Sequence, residues 1–249
     1  MVGKYFEKAI GPQGILYRGH KTDIKWLTLA LDRIETMPSK IVKVGHKVLT
    51  LPICYDLLQT AVGSLRFRSN FVLENISKFK CENVLDLGRG TGSTSKLLPK
   101  EVDYVGLDTP SKYLEKAGKR TADRDSKLTL ADIADSKWTH SVGKIKSALG
   151  SVLGIYHHLS DQQLEETLSN VASVVESGSK IISLEPVVDS KTTKLANWFT
   201  RNNQGQFVRE PVMYVELFKK HDFSIEYQII RNSFKIPYDL ILITAPREP

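Results

Sequence analysis

Asp86, Gly88, Gly90 and Gly92 lie in Val84-Leu85-Asp86-Leu87-Gly88-Arg89-Gly90-Thr91-Gly92, where a strand-like run meets glycines at every second position. A helical pattern, Ser95-Lys96-Leu97-Leu98, follows. Glycines so spaced let the backbone turn sharply from strand to helix and leave no side chains between it and a ligand. The ligand would sit over the helix N-terminus at the carboxyl end of the strand, which is a nucleotide-type cofactor site. A dinucleotide fingerprint reads G-x-G-x-x-G. Here the third glycine comes one residue too early, Ser93 and Thr94 follow it, and the strand carries a carboxylate that a nicotinamide or flavin site would not use. The competing reading is a plain glycine-rich turn.

Four further segments decide against the plain turn. Asp103-Tyr104-Val105-Gly106-Leu107-Asp108 reads as a short buried strand closed by an acid 16 residues beyond Gly92, with Thr109 beside it. An acid there is placed to accept hydrogen bonds from ribose hydroxyls. Lys127-Leu128-Thr129-Leu130-Ala131-Asp132-Ile133 is a third strand ending in an acid. Ser151-Val152-Leu153-Gly154-Ile155-Tyr156-His157-His158-Leu159-Ser160-Asp161 runs from a fourth strand into a helix, and Glu176 to Pro186 reads as helix end, tight turn and fifth strand.

In this order, over residues 82 to 187, the five segments resemble the motifs of the class I S-adenosylmethionine-dependent methyltransferases, in particular the small-molecule, type 11/12-like members. The resemblance implies S-adenosylmethionine as cofactor and S-adenosylhomocysteine as product. It puts Asp86 in the cofactor-site network, the glycines around the methionine portion, Asp108 and Thr109 at the ribose, Asp132 and Ile133 at the adenine, and Leu153 at the end of strand four. Two positions depart from the family pattern. Arg89 stands where a small residue or Cys is usual, so its side chain points away or meets the methionine carboxylate, and Ala148 replaces a usual Asp at the start of strand four.

These segments must be held by an alternating chain. From Glu82 onward strand and helix patterns alternate, which implies right-handed crossovers and a parallel sheet. Strands are predicted over 82–87, 103–107, 127–131, 148–153 and 180–184, with two more over 224–230 and 238–245. Leu240-Ile241-Leu242-Ile243-Thr244 is continuously apolar, as a strand buried on both faces should be. The fold class is α/β, and the resemblance implies a Rossmann-like, seven-stranded, mostly parallel sheet of order 3-2-1-4-5-7-6 with a closing antiparallel hairpin. Residues 1–80 read as an N-terminal helical cap and 81–249 as the methyltransferase domain. In the cap, Asp23 precedes Ile24, Leu27, Leu31 and Ile34 at helical steps, Pro52 opens a second helical pattern, and Arg66 to Lys78 forms a third. Later helices are predicted over Lys191 to Arg201 and from Pro211.

A methyl group on a sulfonium is already activated, so the enzyme must align acceptor, carbon and sulfur and exclude water. An oxygen or nitrogen acceptor also benefits from a base. His157 and His158, at the carboxyl end of strand four, face the ligand crevice and are the candidate catalytic pair. The alternative is that one packs against the cofactor while the other caps a helix. Asp161 is expected to be the N-cap of the helix that follows. Candidate acceptor contacts are Tyr17, Tyr156, Trp198, Arg209 and Tyr238; Arg209 would either clamp a carboxylate or phosphate or form a surface salt bridge to Glu210 or a neighbour.

Composition narrows the function classes. The 249 residues are 41% hydrophobic and 25% charged, ordinary for a globular protein, and no apolar run approaches the roughly 20 residues of a membrane span. The N-terminus lacks the apolar core of a signal peptide. Cys54 and Cys81 suit a reducing compartment, and no His or Cys falls at metal-ligand spacing. A cytoplasmic, metal-free protein is expected. The net charge of +7 raises nucleic acid as a partner, but Lys112, Lys116, Lys119 and Arg120 fit a solvated helix face, and basic charge also suits an anionic small molecule. The function expected is methyl transfer to an oxygen or nitrogen of a small acceptor such as a biosynthetic intermediate. The alternatives are an RNA or protein methyltransferase, against which stands the lack of an Asn/Asp-Pro-Pro-Tyr-type motif after strand four, and a non-catalytic binding relative.

Overall fold

The structure, a computed structural model, describes residues 64–88, 90, 95, 98–109, 126–146, 148–201, 205–231 and 238–248. Its centre is a seven-stranded sheet: β1 (Asn83–Leu87), β2 (Asp103–Asp108), β3 (Ser126–Leu130), β4 (Ala148–Leu153), β5 (Lys180–Pro186), β6 (Glu226–Ile230) and β7 (Leu240–Pro246). The order is β3-β2-β1-β4-β5-β7-β6. β1 through β5 pair in parallel, and β7 runs antiparallel to both β5 and β6. This is the sheet expected from the sequence. β4 has the predicted bounds and the other strand ends differ by at most two residues, with β3 starting at Ser126 and β5 continuing through Pro186.

Alternation along the central strands divides the core in two. Leu85, Leu87, Val152, Ile181, Ile241 and Ile243 face one layer, where they meet α2 (Lys137–Val142), α3 (Asp161–Val174) and α5 (Pro211–Lys219). Val84, Tyr104, Leu149, Ile182, Leu184 and Leu240 face the other, against Phe71, Val72 and Ile76 of α1 (Ser64–Phe79). Apolar residues on both faces, Ile241 and Ile243 on one and Leu240 on the other, explain why β7 reads as a continuous hydrophobic run. α4 (Lys194–Arg201) follows β5. Among the described residues, no helix is long and apolar enough to cross a membrane.

α1 bears on the domain boundary drawn at 80/81. Its apolar face and buried Cys81 belong to the same packed core as β1, β2 and β4, so α1 is a layer of the sheet domain rather than part of a separate cap. The predicted helices before it, Cys54, and the basic segment at Lys112, Lys116, Lys119 and Arg120 lie outside the described residues.

Removing most of the Ile76 side chain leaves a cavity between α1 and the sheet. Ile76→Ala is expected to lower the unfolding free energy of the whole domain by roughly 3 kcal/mol, read as one shifted transition by circular dichroism in urea. An unshifted main transition would place α1 outside the cooperative unit.

Candidate active site

Strand order reverses between β1 and β4, because the chain first builds outward through β2 and β3 and then returns to the other side. The carboxyl ends of open α/β sheets bind ligands at such a point. Gly88, the residue after β1, has φ +67 and donates its amide to the Leu107 carbonyl at 2.9 Å. A Cβ on it would lie 2.3 Å from Cγ1 of Ile155, in the turn after β4. Both the left-handed backbone and the contact with that turn therefore require glycine. Arg89 and Gly92 lie outside the described residues.

The acids sit at three strand ends. Asp86 is buried in β1, where its Oδ2 accepts the Tyr104 hydroxyl at 2.7 Å. At the end of β2, Asp108 Oδ2 accepts from the Gly90 amide at 2.6 Å and Oδ1 from the Thr109 amide at 2.8 Å. That carboxylate fastens the glycine turn of β1 to the end of β2. Asp132 is exposed, with Oδ1 accepting the Ala134 amide at 3.0 Å. Ile133 buries its side chain, and its carbonyl accepts from Trp138 Nε1 at 3.1 Å and Asn170 Nδ2 at 3.2 Å. Asp132 also lines a cleft of about 360 Å³ with Ala131, Asp135 and Trp138.

A second buried acid governs the turn after β4. Glu185, fully buried in β5, accepts the Ile155 amide on Oε1 at 2.9 Å and the His157 amide on Oε2 at 3.3 Å. Its Oε2 also lies 2.8 Å from His157 Nδ1. Burial would raise this carboxyl, but the hydrogen bond and charge of His157 and the amides of the turn outweigh it and hold it below its ordinary range. His157 and His158 share a short 3₁₀ turn, Tyr156–His158. His157 is buried, His158 is exposed, and their rings lie 4.1 Å apart. A Cβ at Gly205 would lie 1.9 Å from His157 Cδ2, so the chain backbone covers one edge of that ring.

Residues 84–178 match the family model of a methyltransferase domain. The match runs from β1 through α3. Solved structures share its fold. The YcgJ protein of Bacillus subtilis is 12% identical with a TM-score of 0.57, over 73% of this chain and 98% of that one. A S-adenosylmethionine-dependent methyltransferase from Clostridium acetobutylicum is 12% identical with a TM-score of 0.59, over 83% and 98%. The mitomycin 7-O-methyltransferase is 16% identical with a TM-score of 0.59, over 79% and 58%. No curated protein matches the sequence.

Several residues expected at the acceptor serve the framework. Arg209 is 3% exposed. Its Nε donates to Asp161 Oδ1 at 2.7 Å, Nη1 to the Tyr156 and Phe207 carbonyls at 2.8 and 3.1 Å, and Nη2 to the Leu159 carbonyl at 2.6 Å. With its fork used in this way it staples the segment before α5 to the turn before α3: it forms a salt bridge as in the alternative reading, but to Asp161 rather than Glu210 and from a buried position rather than the surface. Tyr156 is also displaced from the acceptor role. It is wholly buried, with its ring edge-on to Phe218 at 5.8 Å, and burial first, then the Glu185 carboxylate, push its phenol well above the usual value. Asp161 is not the N-cap. Ser160 is, in a capping box with Gln163: its Oγ accepts the Gln163 amide at 3.3 Å, and its own amide donates to Gln163 Oε1 at 3.0 Å.

Tyr238, half-buried, precedes β7 next to the carboxyl end of β5 and remains near the crevice. Trp198 lies on α4, with its side chain outside the described set, as is Tyr17. Glu185 is the site residue missed as such in the sequence. Its signal was available: an acid closing an apolar strand, the same pattern that marks Asp108 and Asp132.

Two outcomes follow from these geometries. Because Glu185 has a depressed folded value, it stabilises the fold above the unfolded carboxyl value of about 4.3, and that stabilisation is lost as pH falls through the folded value. Glu185→Gln is expected to flatten the acid limb of a stability profile taken by urea unfolding between about pH 7 and about pH 3; an unchanged limb would mean that another group sets it. Arg209→Ala leaves the carbonyls of Tyr156, Phe207 and Leu159 without their donor, while the Asp161 side chain is largely exposed, and is expected to cost roughly 3 kcal/mol of stability. A variant of unaltered stability with a raised acceptor KM would restore the clamp.

Proposed function

We propose that this protein transfers the methyl group of S-adenosylmethionine to an oxygen or nitrogen of a small-molecule acceptor. The observation that carries the reading is the union of the Gly88–Gly90 turn with the Asp108 carboxylate at the β1/β4 reversal. It presents an acid for ribose hydroxyls beside a backbone kept clear for the methionine portion. Asp132 and Ile133, at the end of β3, are the proposed adenine neighbours.

His157 is the proposed general base. A base must be aimed, and its Nδ1 is fixed by a buried carboxylate, the arrangement of a base oriented by a third group. With Nδ1–H donated to Glu185, Nε2 is the nitrogen that takes the acceptor's proton. His158, exposed and with its ring tilted 39° against that of His157, flanks that position. Trp198 and Tyr238 are proposed acceptor contacts.

Thermal unfolding with and without S-adenosylhomocysteine tests the cofactor site. At about 100 times its dissociation constant the ligand should stabilise the fold by roughly 2.7 kcal/mol, and Asp108→Ala should abolish the shift. An intact protein that does not respond at saturating ligand would contradict the reading. For the base, His157→Asn is expected to lower kcat about 100-fold or more with an unchanged Kd for S-adenosylhomocysteine. Equal kcat in the variant and the parent would leave His157 a framework residue.

A further inference from the structure

Arg68 stands out among the cations of the domain. It projects from the first turns of α1 onto the end of β4, where its Nη1 reaches the Leu153 carbonyl at 3.4 Å, a long and weak bond. Its Nε is buried and has no hydrogen-bond partner among the described residues, and no carboxylate there pairs with it. Gly154, the next residue along, has φ +74, and a Cβ on it would lie 2.8 Å from Arg68 Nη2. Ile155, one residue further, touches Gly88. The guanidinium therefore lies against bare backbone at the strand-order reversal, one residue from the contact between the β4 turn and the glycine turn of β1.

A half-buried guanidinium without a counter-charge is costly, and the cost is relieved by an anion that accepts its donors. The planar fork fits a carboxylate with two parallel hydrogen bonds. On the reading above, the ligand at this reversal ends its methionine portion in such a carboxylate. We infer that Arg68 receives the α-carboxylate of S-adenosylmethionine, over the clearing that Gly154 leaves. This rests on the proposed cofactor site and adds a binding residue from α1 that none of the strand-end motifs contains.

Calorimetric titration of the full chain with S-adenosylhomocysteine and with 5′-methylthioadenosine, which has the nucleoside and the sulfur but not the aminocarboxylate, tests the inference. The parent is expected to prefer S-adenosylhomocysteine. Arg68→Gln should weaken that ligand about 10- to 100-fold and leave 5′-methylthioadenosine within about twofold. Arg68→Lys, which keeps the charge but not the fork, should fall between. Equal weakening of both ligands, or undiminished binding of S-adenosylhomocysteine, would overturn the role of Arg68 while leaving the cofactor site standing. Failure of the parent to bind either ligand would bring down the cofactor reading itself, and this inference with it.

Discussion

β1 and β4 lie side by side, but the connections from their carboxyl ends run to opposite sides of the sheet. Everything proposed for this protein depends on how closely the two departing turns approach each other. Gly88 lets them touch: its left-handed backbone turns the chain away from β1, and its missing side chain admits Ile155 from the other turn. Asp108 then ties Gly90 to the end of β2. The result sets glycine backbone at the end of β1 beside an oriented carboxylate at the end of β2, which suits the proposed ligand, with its elongated aminoacyl end and polar sugar.

A second set of buried polar contacts fixes the β4 side. Glu185 reaches from β5 to hold the Ile155 amide, the His157 amide and the His157 ring. Arg209 reaches from the segment before α5 to hold the carbonyls of Tyr156 and Leu159. The five residues 155–159 thus have their main chain pinned from two directions without regular helix or strand hydrogen bonding of their own beyond one short 3₁₀ turn. Buried charges are stable only when so compensated. For the proposed base the consequence is orientation: Glu185 holds the His157 ring in one position, which would leave less ordering for the reaction.

The strands were legible because burial on both sheet faces leaves long apolar runs, as in Val84-Leu85 and Leu240 to Ile243, and because glycines and acids punctuate their carboxyl ends. The cofactor-side acids could be read for the same reason, since Asp86, Asp108 and Asp132 each interrupt or close an apolar segment. The acceptor side was not legible in this way. Arg209 looks in sequence like a cation in a polar loop, and only the fold brings Asp161 and three carbonyls around it. Tyr156 sits in a motif yet points into the core against Phe218. The Ser160 cap was hidden by an equally good candidate one residue later, and the choice between them depends on where the 3₁₀ turn ends. α2 was missed because six residues around Trp138 and Val142 are too short to establish a helical period.

The most direct test of the account is a crystal structure of the complex with S-adenosylhomocysteine. The ribose hydroxyls are expected within hydrogen-bonding distance of the Asp108 carboxylate, with the methionine portion between the Gly88–Gly90 turn and the end of β4. Ligand seated elsewhere on the molecule, or none at saturating concentration, would contradict the claim that the β1/β4 reversal is the methyl-donor site.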